Sequence, residues 1–338
     1  MHFFSDNNAP AAPAILAALE AANSGMALAY GADAWSERLD EAFSRYFERP
    51  VRAFAVATGT AANALALATR TPPYGEIFTG EHSHVVHDEC GAVELQSAGA
   101  RLTRLPAPMG LLPAAGLAQW LADHPVSVHS PQPAAVSITQ ATECGTVYQP
   151  AQMAELSEVC RDHGLVLHMD CARFANALAT LGTSPADSTW RCGVDVLSFG
   201  ATKNGALGAE AVVFFDPEQA RDFELRRKRA AHLFSKMRYL SAQLLCCLEQ
   251  PFFMDNAGRA NSLAARIGAA AGERLLYPVQ ANAIFLGFRP GEKQELRELG
   301  FGFYDWGPPR KDAGRFVVSW NQDEADVSAL CEALAAWN

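Results

Sequence analysis

"DVLSFGATKNGALGAEAVVFF", residues 195–215, is a pair of apolar runs joined by a turn that carries one lysine, Lys203, followed at once by Asn204-Gly205. A lysine is ordinarily a solvated surface charge. These flanks are among the most apolar stretches of the chain, so they predict an ammonium group at the edge of a core, facing a cleft. Outward from there, "AAVSIT" (134–139), "LVLHMD" (165–170), "DVLSFG" (195–200) and "AVVFF" (211–215) are continuous apolar runs. A parallel strand with both faces covered reads in this way. Helical periodicity falls between them, in "AQMAELSEVCRDHG" (151–164) and "ARFANALATLG" (172–182).

Upstream, an alanine-rich helix is expected over 11–23 and an amphipathic one over 33–47, followed by a short buried strand, "AFAVAT" (53–58), and a helix opening at "GTAANALALATR" (59–70). The alternation predicts an α/β fold whose mostly parallel central sheet is flanked by helices, with ligands gathered at the carboxyl ends of the strands. Past about residue 240 the rhythm changes to two helices, strands at "AIFLGF" (283–288) and "RFVVSW" (315–320), and a final helix. That pattern predicts a smaller α+β domain. The division expected is an N-terminal segment 1–25, a large domain 26–240 and a small domain 241–338.

The chain has 338 residues, 49% of them hydrophobic, enough for a sizeable core. Its net charge of -10 argues against nucleic acid or an anionic membrane as partner and for a small molecule. No apolar run approaches the roughly 20 residues of a membrane span, and "MHFFSDNNAP" does not read as a signal peptide. The eight cysteines form no CxxC pair, which predicts reduced thiols and a cytoplasmic location.

Residues able to do chemistry fall at the strand ends. In "AVATGTAAN" (55–63), Thr58, Gly59 and Thr60 form a strand-to-helix turn whose free N–H groups suit a phosphate, although Thr-Gly-Thr is also an ordinary helix cap. "LHMDCAR" (167–173) ends a buried strand on Asp170 and sets Arg173 three residues later. The pair is either a structural ion pair, or Asp170 holds a protonated ring nitrogen while Arg173 faces an anion. A phosphate-ready turn, an aspartate ending one strand and a lysine ending the next share one economical explanation, pyridoxal 5'-phosphate. The lysine amine forms a Schiff base with its aldehyde, the aspartate keeps its ring electron-accepting, and the turn binds its phosphate.

"EHSHVVHDECG" (81–91) offers His82, His84 and His87 with Asp88 and Glu89. The spacing does not match a helical metal pair, so no metal is expected. The remaining readings are surface histidines, or an imidazole stacked on the pyridine face and close enough to move a proton. "ELRRKRAAHLFSKMRYLSAQ" (224–243) is a local basic run, ordinarily a solvated helix face, part of which is a candidate anion site. Arg315, opening "RFVVSW", is a candidate fork for a carboxylate.

In this order, "SDN", "YGAD", "TGTAAN", "HVVHDECG", "HMDCAR", "SFGATKNG" and "RFVVSW" resemble the threonine aldolase family over nearly the whole chain. That family has the aspartate-aminotransferase fold, fold type I of the pyridoxal-phosphate enzymes, and lies within the β-eliminating lyases. The pattern is most similar to the low-specificity bacterial L-threonine aldolases. The resemblance implies that Lys203 carries the cofactor, beside Thr202, that Asp170 pairs with the pyridine nitrogen and that His84 stacks on the ring. It further implies that Gly59 and Thr60 hold the phosphate, with Arg238 reaching it from a neighbouring subunit. Ser5, Arg173 and Arg315 match groups that hold the substrate carboxylate, and Tyr30 a tyrosine donated across a dimer interface. A homodimer or homotetramer with shared sites follows from these matches.

One departure concerns the base. Many relatives carry a histidine in a Thr-His-Asn-Gly stretch where this chain reads "ATECG" (141–145) and supplies Glu143. The base on the substrate hydroxyl is then Glu143, directly or through water, or His84, with His87 as a possible helper. The expected reaction is retro-aldol cleavage of L-threonine, L-allo-threonine and related β-hydroxy-α-amino acids, L-phenylserine included. Its rivals are β-elimination, racemisation or transamination on the same scaffold, or a non-catalytic cofactor-binding protein.

Overall fold

A computed structural model describes residues 1–307 and 312–337. Its larger sheet has seven strands: β1 (Arg52–Val56), β2 (Gly75–Gly80), β3 (Arg101–Leu105), β4 (Gln132–Thr139), β5 (Val166–Cys171), β6 (Val196–Gly200) and β7 (Glu210–Phe214). Their order is β1-β7-β6-β5-β4-β2-β3. The pairs β2–β3, β2–β4, β4–β5 and β5–β6 are parallel. Every residue of β6 and β7 is buried, which is why their sequences are apolar without alternation.

The parallel reading of 211–215 is corrected by the structure: β7 runs antiparallel to both β6 and β1. Residues 201–209 are too short for the crossover of about a dozen or more residues that a parallel return requires. An apolar run reports burial on both faces, not direction. Two reversals restore β1 to the direction of β6, so the exits of β1, β4, β5 and β6 all lie at one edge of the sheet, where ligands of such folds bind.

A second sheet, β8 (Ala283–Gly287), β9 (Tyr304–Asp305) and β10 (Ala313–Val317), is antiparallel with β10 in the middle. Its core gathers Ile284, Phe316, Ile267 and Leu330, and also Phe3 from the other end of the chain. Phe3 is pinned there by its own N–H on the Gly302 carbonyl and by Val317 N–H on its carbonyl, each 2.8 Å. The helix Phe252–Ala271 spans both cores: Phe253 and Ala257 pack into the large one, Ala260 and Ile267 into the small one. No helix among the described residues is long and apolar enough to cross a membrane.

Candidate active site

The turn Thr202–Asn204 leaves β6 and carries Lys203. Its position depends on Gly200: a Cβ there would sit 2.6 Å from the Ala172 Cα, so only glycine lets the end of β6 close against the turn that follows Asp170. Burial lowers the proton affinity of Lys203, and the Arg173 charge lowers it further against the opposing pull of Asp6, Asp170 and Glu210. No hydrogen bond or ion pair joins its amine to a described residue. A buried amine with a depressed pKa is the state that attacks a carbonyl.

Asp170, at the end of β5, is buried and accepts from the Ala172 N–H at 3.0 Å and from Asn63 Nδ2 at 2.8 Å. Asn63 gives its other N–H to Glu89 Oε1, also at 2.8 Å. Glu89 Oε1 in turn faces His84 Nδ1 at 2.8 Å. The hydrogen bond to Glu89 raises the pKa of His84 over the opposing effect of burial, and burial raises that of Glu89. Ligand atoms of His84, Glu89 and Asp170 lie within 4.8 Å of one another. An amide N–H aimed at each carboxylate binds the acids to a donor inside the protein. Glu143 stands on the other side of His84, accepting the His84 backbone N–H at 2.7 Å and the Thr139 hydroxyl at 2.9 Å. Burial holds its carboxyl above the ordinary range despite these donors.

Arg173 does not pair with Asp170. Its fork is bidentate to Asp6, with Nε to Oδ2 at 2.7 Å and Nη2 to Oδ1 at 2.9 Å. Asp6 also accepts from Asn282 Nδ2 at 3.0 Å. Burial alone would raise Asp6; Arg173, Lys203 and the donors override it and hold the carboxyl below its usual value. The Asp6–Asn8 turn rests against the Lys203 turn, and Ser5 caps it, its hydroxyl accepting the Asn7 N–H at 3.1 Å. Arg315, on β10, has no hydrogen bond or ion pair to a described residue. Its pKa is lowered by burial and then by the Arg173 charge, against the pull of Asp6 and Asp88, so the two guanidiniums are near enough to repel.

Thr58 caps the helix Gly59–Arg70 by accepting the Ala61 N–H at 3.2 Å, which leaves the N–H groups of Gly59 and Thr60 unused by the cap. A Cβ built on Gly59 meets nothing within 4 Å, an open cradle at a helix N-terminus. Thr202 Oγ1 accepts the Ala209 N–H at 3.3 Å behind the lysine turn.

Three expected residues do not join this group within one chain. His87 is exposed and donates to the Glu81 carbonyl at 2.7 Å. Tyr30 is 53% exposed, with Lys228 over its ring. Arg238 reaches the Gly25 carbonyl at 3.1 Å. Sequence reasoning passed over Asn63 and Asp6, and it named Glu89 only as part of the histidine cluster, without a role. Asn63 had a visible signal, as the one polar residue in the buried run Ala61–Ala68.

The residues fit pyridoxal phosphate: an amine without a partner among the described residues, a buried carboxylate, an imidazole close beside it and an open cradle on a helix N-terminus. Residues 2–286 match the β-eliminating lyase family. The chain is 40% identical to a low-specificity L-threonine aldolase of a Pseudomonas species, over 99% of this chain and 97% of that one. It is 41% identical to the Pseudomonas aeruginosa protein of the same name, over 97% and 95%. The fold superposes on a threonine aldolase from Leishmania major with a TM-score of 0.93 at 26% identity, covering 99% of both chains. Sequence, fold and site together make this chain a member of the β-eliminating lyase family, on its threonine aldolase branch.

Proposed function

We propose that this protein is a pyridoxal-phosphate-dependent carbon–carbon lyase that cleaves L-threonine, L-allo-threonine and related β-hydroxy-α-amino acids, L-phenylserine among them, to glycine and an aldehyde. The observation that carries this reading is the pair Arg173 and Arg315. Two mutually repelling guanidiniums beside a depressed lysine, Arg173 braced by Asp6 and Arg315 hydrogen-bonded to no acid among the described residues, make a place for one α-carboxylate. When bound, the cofactor supplies an electron sink conjugated to the substrate α-carbon.

The chain's residues divide the remaining work. Lys203 would hold the cofactor through its amine, and Asp170 would keep the ring nitrogen protonated. Gly59, Thr60 and Thr202 would help to hold it, with His84 beside its ring. Arg173, Arg315 and Ser5 fix the carboxylate, and with it the orientation of the bonds at Cα, so the clamp selects carbon–carbon cleavage as well as substrate. Glu143 or His84 takes the proton from the β-hydroxyl oxygen. Exposure of His87 away from Lys203 argues for these two over it.

Tyr30 and Arg238 are proposed to complete the site of a neighbouring copy, in a homodimer or homotetramer. Within one chain Tyr30 meets Lys228 and Arg238 meets Gly25 and Tyr239, contacts that include none of the site residues. All eight cysteines are free, which supports a reducing, cytoplasmic setting.

Incubation of the cofactor-loaded protein with L-threonine, L-allo-threonine and L-phenylserine tests the reading. Glycine and the matching aldehyde are expected in equal amounts, and none from Lys203→Ala. Keto acid, ammonia or racemised substrate in place of aldehyde would overturn it.

A further inference from the structure

Glu89 and Asp170, whose carboxylate oxygens lie close to one another and to His84, are both buried and share one donor residue. Like charges this close in a poorly solvated site disfavour each other, and one of the two takes up a proton unless donors hold both ionised. Asn63 is 1% exposed and spends each of its two amide hydrogens on one of these acids, at 2.8 Å in both cases. Its orientation follows from chemistry: turned over, its carbonyl oxygen would meet two acceptors and no donor. In the orientation found, Asn63 Oδ1 and Glu89 Oε2 have no partner. The bridge is therefore kept at the cost of two unsatisfied buried oxygens.

We propose that Asn63 is a positioning residue that joins His84 to Asp170: by holding Glu89 ionised it fixes the imidazole as donor through Nδ1 and acceptor through Nε2, and by sharing its amide it ties that state to the charge of Asp170. The ring nitrogen of His84 left free by Glu89 is then the one available to a substrate proton. The other charged groups around His84 are Asp170 from β5 and Lys203 from the turn after β6, with Glu143 on its backbone N–H. None of them supplies a hydrogen to Glu89.

This rests on the proposed reaction only for its kinetic consequence, so the primary readout needs no substrate. The full chain, labelled on its histidine rings, is titrated by nuclear magnetic resonance with and without pyridoxal phosphate, His84 being identified by the signal lost in His84→Gln. Asn63→Leu has similar volume and no donor. It is expected to lower the His84 titration midpoint by about one pH unit, and to shrink the difference between loaded and unloaded midpoints, because Glu89 takes up a proton and ceases to support the imidazolium. Asn63→Ala is expected to move the same way, and carries the test if the leucine variant does not fold. With His84 as the base, the low-pH limb of kcat/KM on L-threonine follows the midpoint downward; with Glu143 as the base it stays, and in both cases KM holds because the arginine clamp is intact. A His84 midpoint unmoved in folded variants overturns the proposal whatever the reaction proves to be. A moved midpoint in a protein that releases no aldehyde sinks the aldol reading and leaves this one standing.

Discussion

Arg173 and Arg315 repel one another, and together they are the proposed seat of the substrate carboxylate. Arg315 makes no hydrogen bond or ion pair with a described residue, which leaves its fork open to the proposed ligand. Arg315→Lys keeps the charge and loses the planar fork. We expect KM for L-threonine to rise roughly 10- to 100-fold, the worth of one or two charge-assisted hydrogen bonds, with the absorbance of the bound cofactor unchanged. Arg173 differs in being braced by Asp6. Removing one member of a buried pair costs about 3–5 kcal/mol, so Asp6→Asn should be less stable by that order in urea melts at neutral pH. The sign in acid follows from the depressed carboxyl of Asp6. Its contribution is present above the ordinary aspartate range and is lost as pH falls through the lower folded value, so the gap between wild type and Asp6→Asn should close in acid. The base is open to a pH experiment. Burial raises Glu143 and the Glu89 contact raises His84, so a Glu143 base places the low-pH limb of kcat/KM above the ordinary carboxylate range and a His84 base places it above the ordinary imidazole range. Loss of that limb in Glu143→Gln or in His84→Gln decides between them.

At the level of elements, the helix Gly59–Arg70 has two duties that a single substitution separates. Gly59→Ala fills open space, so it should change the stability of the cofactor-free protein by less than about 0.5 kcal/mol. The added methyl enters the phosphate cradle, and affinity for pyridoxal phosphate, read by absorbance titration, should fall. The loop bearing Glu143 is pinned differently, by the small domain. Gly145 has φ +76, and a Cβ there would lie 3.0 Å from the Ala283 carbonyl and 3.3 Å from the Phe285 ring. Gly145→Ala should cost about 1–3 kcal/mol and depress kcat as Glu143 shifts, with cofactor affinity retained. Turns and strand exits of this kind were legible in the sequence, because cap chemistry and apolar runs are local. The direction of β7 was not, because burial on both faces looks the same in either direction.

Across the whole molecule, the exposed Tyr30 and the outlying Arg238 leave the site of one chain without two of its expected members. If they serve the neighbouring copy, mixing Lys203→Ala subunits with Arg238→Ala subunits should recover about a quarter of wild-type activity, since half of randomly paired dimers are mixed and each has one intact site. No recovery after unfolding and refolding together would place both functions within a single chain. The same scale explains the fate of the N-terminal segment. Ser5 was legible as a candidate, but Phe3 closes the small core and Asp6 lies 167 residues from the arginine it holds. Contacts between the chain's beginning and its later domains have no local pattern to betray them.

The order of motifs along the chain determined by itself that a lysine, an aspartate and a phosphate turn would leave apolar strands, because strand runs, caps and tight turns are set by neighbours a few residues apart. Only the tertiary structure decided which acid each cation meets: Arg173 takes Asp6 over the nearer Asp170, and Asn63 is left to bridge Asp170 and Glu89. Carboxylates are chemically alike, and the choice among them rests on where a folded backbone brings each one.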